Sequence, residues 1–303
     1  MANSVQAARP VFPPIPRHLV AGMSLWQGVT LILLLVWLYA AILAKLVMQW
    51  IGPNADPNFT HGIFVPLFVL FVLWQDRKRL KEIPLNPSWL GLPILFVGLV
   101  ILMLGVLGAE LFFSRASLLV VLAGLILLFA GWEFFRAVLF PWAVLILMIP
   151  IPNLLLQQVT FPLQQFAAKL ATGMLEAVGV PVLRQGNVIV LASLPLDVAE
   201  ACSGIRSLLT LLTLAIIYGY MMETRTWVRI ALAISAIPIA VAANGFRIFG
   251  TGMLVQYWNP DKAEGFFHTF SGWLIFVVAL VLFFGVHRLV TFIWKDNSGV
   301  QPA

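Results

Sequence analysis

Charge is scarce in this chain and cysteine nearly absent. Of 303 residues only 10% are Asp, Glu, Lys or Arg, while 61% are hydrophobic and the mean hydropathy is +1.00. That balance excludes an ordinary soluble domain and indicates a polytopic membrane protein. The single cysteine, Cys202, excludes an internal disulfide and a Cys-x-x-Cys redox pair. Two roles remain for it, a small buried apolar residue or a nucleophile. The four histidines are far apart and lack zinc-type spacing, so neither a metal nor another cofactor is expected. A sequence pI of about 9.8 would suit nucleic acid, but the Lys and Arg residues sit in short loops rather than in one patch with interleaved aromatics. No nucleic-acid partner is expected, and the sequence contains no internal repeat, low-complexity tract or soluble domain.

The apolar runs read as an all-α fold of about eight transmembrane helices: Leu25–Ile51, His61–Gln75, Trp89–Gly108, Ser117–Gly131, Ala137–Pro152, Ser203–Met222, Ile230–Phe249 and His268–Trp294. The second, fourth and fifth are short against the roughly 20 residues that a perpendicular span needs, and seven spans plus a re-entrant segment is the other reading. With the N-terminus inside, eleven Lys and Arg residues fall on the cytoplasmic side and four (Arg115, Lys169, Arg184, Lys262) outside. The excess places both termini in the cytoplasm. The first run lacks a small-residue cleavage site and exceeds a signal-peptide core, so it reads as a retained anchor. Residues 1–24 then form a cytoplasmic tail, 25–294 one transmembrane domain with an extracytoplasmic insertion at 153–202, and 295–303 a second tail.

Within the insertion, Leu154–Val178 carries paired glutamines among apolar residues, the pattern of an amphipathic helix in the outer interface. Gly186-Asn187 and the short runs Val188–Leu191 and Leu194–Val198 suggest a small β-hairpin before span six. Depth then groups three residues. Cys202 lies 21 residues from Glu223, Arg247 lies 18 from Arg229, and His268 lies 20 from Arg288. At 1.5 Å per residue these are roughly 31, 27 and 30 Å, close to the ~30 Å hydrocarbon thickness. All three therefore fall near the outer boundary on consecutive spans, which tend to be neighbours.

Each residue also has a structural reading. A lone cysteine packs, Arg247 snorkels to the interface, and His268 begins its helix there. Arg247 carries the most weight, because an arginine within an apolar run costs about 2.5–3.5 kcal/mol on insertion scales unless paired or hydrated. Arg206, four residues after Cys202 and so on the same helical face, lowers the thiol pKa or pairs with Glu200 or Asp197. Asn244, three residues before Arg247, is placed to hydrogen-bond between helices. His61, at the outer start of a span, reads as structural or substrate-lining.

The run Glu200-Ala-Cys202-Ser203-Gly204-Ile-Arg206-Ser207, then Asn244-Gly-Phe-Arg247-Ile, then His268 with Gly272, resembles the signature of the exosortase/archaeosortase family. His61-Gly62 with Pro66 and Ile149-Pro-Ile-Pro152 are similar to features of the same family. The likeness extends from about Leu25 to Trp294, with the strong motifs in the second half, and ending at Ala303 it resembles a stand-alone form. It implies a membrane-embedded cysteine transpeptidase of the inner membrane, with its site facing the periplasm, in a setting of exopolysaccharide production. Its partners would be membrane lipid, an acceptor nucleophile, and secreted proteins with a C-terminal sorting signal: a Pro-Glu-Pro-type motif, a transmembrane helix and a basic tail. The catalytic set implied is Cys202, Arg247 and His268, supported by Glu200, Ser203, Gly204, Arg206, Asn244 and His61. An endopeptidase that lets water resolve the thioester, a transporter with Arg247, Arg206 and Lys45 along an anion path, and a structural subunit of an envelope complex stand as alternatives.

Overall fold

In hydrocarbon every backbone N–H and C=O has to be bonded within its own segment, so long apolar runs fold as helices. The computed structural model describes residues 25–53, 55–192, 195–198, 204–257 and 266–293, with Leu25, Asp197 and residues 266–271 described by backbone alone. Among the described residues five helices are long and apolar enough to cross a bilayer, or six if one bent pair counts as a single span. Two of the eight expected spans are shorter apolar helices. The protein is a mostly helical multi-pass membrane protein with one small sheet, and it divides into two compact units, up to Ile151 and from Pro152 onward.

In the first unit, α1 (Leu25–Ile51) matches the first expected span. A 3-10 turn (Thr60–Ile63) leads into α2 (Phe64–Gln75) and the short charged α3 (Arg77–Glu82). The main pairing joins α4 (Gly91–Leu107) to α5 (Leu111–Phe129). Gly91, Gly98 and Gly105 recur every seven residues along α4. A Cβ on Gly98 would stand 2.8 Å from Val121 Cγ2, and one on Gly105 would stand 2.6 Å from the Ser114 nitrogen. Gly91 meets the backbone of Gly124 and Leu128. Such small residues let helix backbones approach where lipid supplies no hydrophobic drive.

Two expected spans are corrected here. The fourth, expected from Ser117, begins at Leu111. The weakly apolar tract Ser114-Arg115-Ala116-Ser117 is accommodated because its hydroxyls are satisfied inside the fold. Ser114 Oγ donates to Glu110 O (2.9 Å), and Ser117 Oγ donates to Ser114 O (2.8 Å). With that proton committed, the Tyr39 hydroxyl donates to Ser117 Oγ at 2.9 Å. Arg115, expected in an extracytoplasmic loop, therefore lies inside α5 and is 4% exposed.

The fifth expected span, Ala137–Pro152, is not one helix. It is α6 (Gly131–Ala137), α7 (Leu139–Val144) and a 3-10 turn (Leu145–Met148), with a 64° bend between α6 and the rest. Pro141 has no N–H, and its ring opposes the carbonyl four residues back, at Ala137, where α6 ends. At the start of α6, Gly131 has φ +87° and packs directly against the Asn86 carbonyl, leaving no room for a Cβ. Asn86 N–H donates to Ala130 O (3.1 Å) and Ser88 N–H to Leu127 O (3.0 Å). The segment between α3 and α4 is thereby tied to the α5–α6 corner.

In the second unit, α8 (Asn153–Ala177) occupies the expected amphipathic segment. Its buried stripe holds Thr160, Gln164, Ala167, Ala168, Ala171 and Leu175, while Leu154, Val159, Phe161 and Phe166 point outward. An antiparallel sheet follows in the order β1 (Val182–Gln185), β2 (Val188–Leu191), β3 (Pro195–Asp197). The expected hairpin is β2–β3. The additional strand β1 is joined to β2 by Gly186-Asn187, with Gln185 opposite Val188 and Gly186 at φ +66°, the left-handed conformation that a two-residue hairpin turn favours. Three helices complete the unit: α9 (Ile205–Met222), α10 (Thr226–Tyr257) and α11 (Phe266–Ile293). Helix α10 packs against α8, α9 and α11. Its 32 residues span about 48 Å, well beyond the ~30 Å of a hydrocarbon core and beyond the expected Ile230–Phe249.

Candidate functional site

Helix α10 serves two hydrophobic cores in succession. Its earlier half contributes Leu232, Ala236, Ala240 and Ala243 to a core shared with Leu211 and Ala215 of α9 and Phe283 of α11. Its later half contributes Ile248 and Val255 to a core with Ala168, Ala171 and Leu175 of α8 and Ile189 and Leu191 of β2. On this later stretch Gly245 and Gly252 face Leu170 and Leu175 of α8, which brings the two helices close. Asn244 and Arg247 fall between the last residue of one core and the first of the other.

At that seam α10 touches both neighbouring helices. Asn244, 3% exposed, packs its side chain on Gly204, the residue that caps the start of α9. Gly204 has φ +77°, and a Cβ there would stand 2.8 Å from Asn244 Cγ and 2.9 Å from its Cβ. Both facts require glycine: L-residues are strained in the left-handed region, and the space is already filled. One turn along α10, half-buried Arg247 extends a guanidinium nitrogen to 3.8 Å from where a Cβ of Gly272 on α11 would be. Gly272 lies one helical turn after His268 and shares its face of α11. Residues three apart on one helix therefore meet the start of α9 and the first turns of α11.

The structure corrects one reading of the sequence. Helix α9 starts at Ile205, after a left-handed Gly204, so Cys202 precedes the helix. The expected place of Arg206 one turn below Cys202 needed a helix running through Gly204, which is absent, and the Arg206 side chain is exposed. Glu200, Cys202 and Ser203 lie outside the described residues, and His268 is described by its backbone in the first turn of α11. His61 lies in the first unit, in the 3-10 turn before α2. It is 8% exposed, tilted against Phe59 at 6.3 Å between ring centroids, and its Nδ1 has no hydrogen-bond partner among the described residues. Trp50 lies beside its neighbour Gly62 and donates its indole N–H to Met148 O at 3.2 Å.

A second polar group that the sequence reading missed joins the same three helices at their other end. His287 of α11 stands between the Tyr218 hydroxyl of α9, 2.9 Å from Nδ1, and the Glu223 carboxylate, which meets Nε2. With Nε2–H donating to the carboxylate, Nδ1 accepts the tyrosine proton. Arg229 of α10 donates Nε–H to Glu223 O (2.7 Å) and lies over the Tyr220 ring. From Arg247 to Arg229 is 18 residues and from Gly272 to His287 is 15, or about 27 and 22 Å along the helices. The three helices are thus joined by polar groups near both ends of one membrane thickness. The signal was available in the sequence, since Glu223 and His287 fall at one depth by the same count that grouped Cys202, Arg247 and His268.

Among the described residues no group of three His, Cys, Asp or Glu side chains is placed to hold a metal ion. A family model described as transmembrane exosortase matches residues 50–285. No curated protein and no solved structure matches the chain.

Proposed function

The chain belongs to the transmembrane exosortase family, and from that premise we propose that it is a membrane-embedded cysteine transpeptidase. It removes C-terminal sorting signals from secreted proteins at the outer face of the inner membrane. The observation that carries the proposal is the pair of contacts made by α10: Asn244 on Gly204 and Arg247 beside Gly272. Two residues of chain cannot carry the Cα of Cys202 farther than about 7 Å from that of Gly204. His268 is one turn, about 6 Å, from Gly272 along α11. The contacts therefore support a thiol, a guanidinium and an imidazole converging on one small region.

In the proposed reaction the Cys202 thiolate attacks the scissile carbonyl carbon while His268 holds the thiol proton. The carbonyl oxygen becomes an oxyanion facing Arg247, a role worth about 3 kcal/mol when a single donor is removed. Collapse breaks the C–N bond, leaves a thioester on Cys202, and passes the proton from His268 to the departing amine. An acceptor amine then attacks the thioester and gives its proton to His268, forming a new amide and restoring the Cys202 thiolate. Helix α8 and the sheet, packed on the later half of α10, would bind the motif and restrict water, favouring aminolysis over hydrolysis. A substrate anchored by its own helix, with its basic tail in the cytoplasm, presents its motif at this depth.

The test co-expresses wild type or Cys202→Ala with a tagged secreted protein ending in such a signal, and measures the C-terminal mass. Loss of the signal with wild type and its retention with the variant are expected; equal cleavage in both refutes the proposal. Added hydroxylamine captures the thioester as a hydroxamate at the new C-terminus, and without it an added mass at that terminus marks transfer to an acceptor amine while a free carboxylate marks hydrolysis.

A further inference from the structure

In the first unit, α3 and α6 border an open cleft of about 530 Å³ whose walls carry Arg79, Glu82, Glu133 and Arg136, with Ile83, Pro84 and Ala137 also lining it. The charges alternate. Each helix brings one arginine and one glutamate three residues apart, in opposite order along the chain. All four side chains are exposed, and among the described residues no ion pair joins any two of them. Opposite charges that line one cleft without pairing leave both signs available to a ligand that carries both.

The cleft is also built rather than incidental. Its two walls are connected through the pinned segment at Asn86 and Ser88, and Gly131, which opens α6, packs on the Asn86 carbonyl. Its level in the membrane follows from its surroundings. It lies where α2 and α5 end and α4 begins, next to the basic helix α3, and Trp74, Trp89 and Trp132 are exposed at the same helix ends. Exposed tryptophans at helix ends mark the headgroup layer of a bilayer. Leu85 and Leu139, also exposed nearby, offer apolar surface for acyl chains.

We propose that this cleft binds a zwitterionic phospholipid bearing a primary ammonium, the phosphoethanolamine headgroup. The phosphate lies between Arg79 and Arg136, and the ammonium donates to Glu82 and Glu133. Arginine's planar fork suits phosphate oxygens. Three N–H donors allow an ammonium to serve two carboxylates at once, which a choline headgroup, having no N–H, cannot do. A phosphatidylglycerol headgroup would set neutral hydroxyls rather than a cation against the two glutamates, a weaker contact. The site lies in the unit without Cys202 and its test does not depend on processing, so it stands or falls apart from the proposed reaction.

The experiment offers the purified full-length protein in detergent an equimolar mixture of phosphatidylethanolamine, phosphatidylcholine and phosphatidylglycerol of equal chain length, and counts retained lipid by native mass spectrometry. The expected preference for phosphatidylethanolamine is roughly tenfold, the size of two partly exposed charge contacts. The pair Glu82→Gln and Glu133→Gln should erase the preference over phosphatidylcholine while phosphatidylcholine retention stays at the wild-type level. Arg79→Gln with Arg136→Gln should lower retention of all three lipids. All four residues are exposed, so the variants should unfold at the wild-type temperature, confirming that a lost preference is not lost fold. Equal retention of the three lipids by wild type overturns the proposal, and so does an unchanged preference in the glutamate variant. Saturation by free phosphoethanolamine with no competition from the lipid would assign the cleft to a soluble zwitterion and overturn it as well.

Discussion

Replacing Gly204 by alanine places two separable costs on one position. The left-handed backbone at φ +77° disfavours an L-residue by about 1–2 kcal/mol. The new methyl would also stand 2.8 Å from Asn244 Cγ, inside van der Waals contact, and overpacking of this kind costs about 1–3 kcal/mol. Together they give a loss of about 2–5 kcal/mol, which should lower the thermal unfolding midpoint in detergent by roughly 5–15 °C. Asn244→Gly, which removes both the Cγ and the Cβ that the new methyl would meet, separates the two costs. In the double variant the clash disappears and the backbone cost remains, so Gly204→Ala should cost about 1–2 kcal/mol in that background. The coupling between the positions is then about 1–3 kcal/mol. Unfolding midpoints of the four proteins, converted to free energies, provide the cycle. Costs that add to within about 0.5 kcal/mol, or an unperturbed Gly204→Ala single variant, would show that α9 and α10 do not meet here and would remove the support for a shared site.

Other consequences are open to the same methods. Gly272 has more room, its nearest contact being the Arg247 guanidinium at 3.8 Å. Gly272→Ala should leave signal processing near wild type, while Gly272→Leu, by displacing that guanidinium, should lower it about a hundredfold or more, read as the fraction of reporter processed with time. His287→Ala removes the partner of a Glu223 carboxylate that is 14% exposed. It should destabilise the protein by about 2 kcal/mol in thermal unfolding, yet leave Cys202 labelling by a maleimide at the wild-type rate. Gly98→Leu forces a side chain into Val121 of α5 and should cost about 1–3 kcal/mol, measured as the SDS fraction needed for half-unfolding.

Where local composition alone decides an element, the sequence was a good guide. Helix α1 has the expected bounds, because nothing interrupts its apolar run, and α8 differs from the expected segment by one residue at each end. The break between α6 and α7 was not read, since Pro141 lies in a tract apolar enough to pass for a span. The start of α5 was missed because Ser114 and Arg115 count as polar in a hydropathy window, although both are buried in the fold. Strand β1 escaped because Leu183, Arg184 and Gln185 are all exposed, so no alternation marks it. At the site, Asn244 and Arg247 were singled out by their spacing, and the structure sets the first against Gly204 of α9 and the second beside Gly272 of α11. The placing of Arg206 beneath Cys202 assumed helix through Gly204, and only the backbone angle there shows that the helix begins at Ile205. For the Tyr218–His287–Glu223 group the depth count was available, but it sets a level and not a partner, and the pairing itself is seen only in the structure.

The glycine seam between α4 and α5 bears on how the chain enters the membrane. Only residues 108–110 separate the two helices, so their contacts form between neighbours in the chain, the kind that assemble fastest. Gly98 and Gly105 bring α4 within touching distance of α5 along most of its length. A nascent chain that has released residues up to Phe129 already contains a self-sufficient hairpin able to partition into lipid as a pair, ahead of anything synthesised after it.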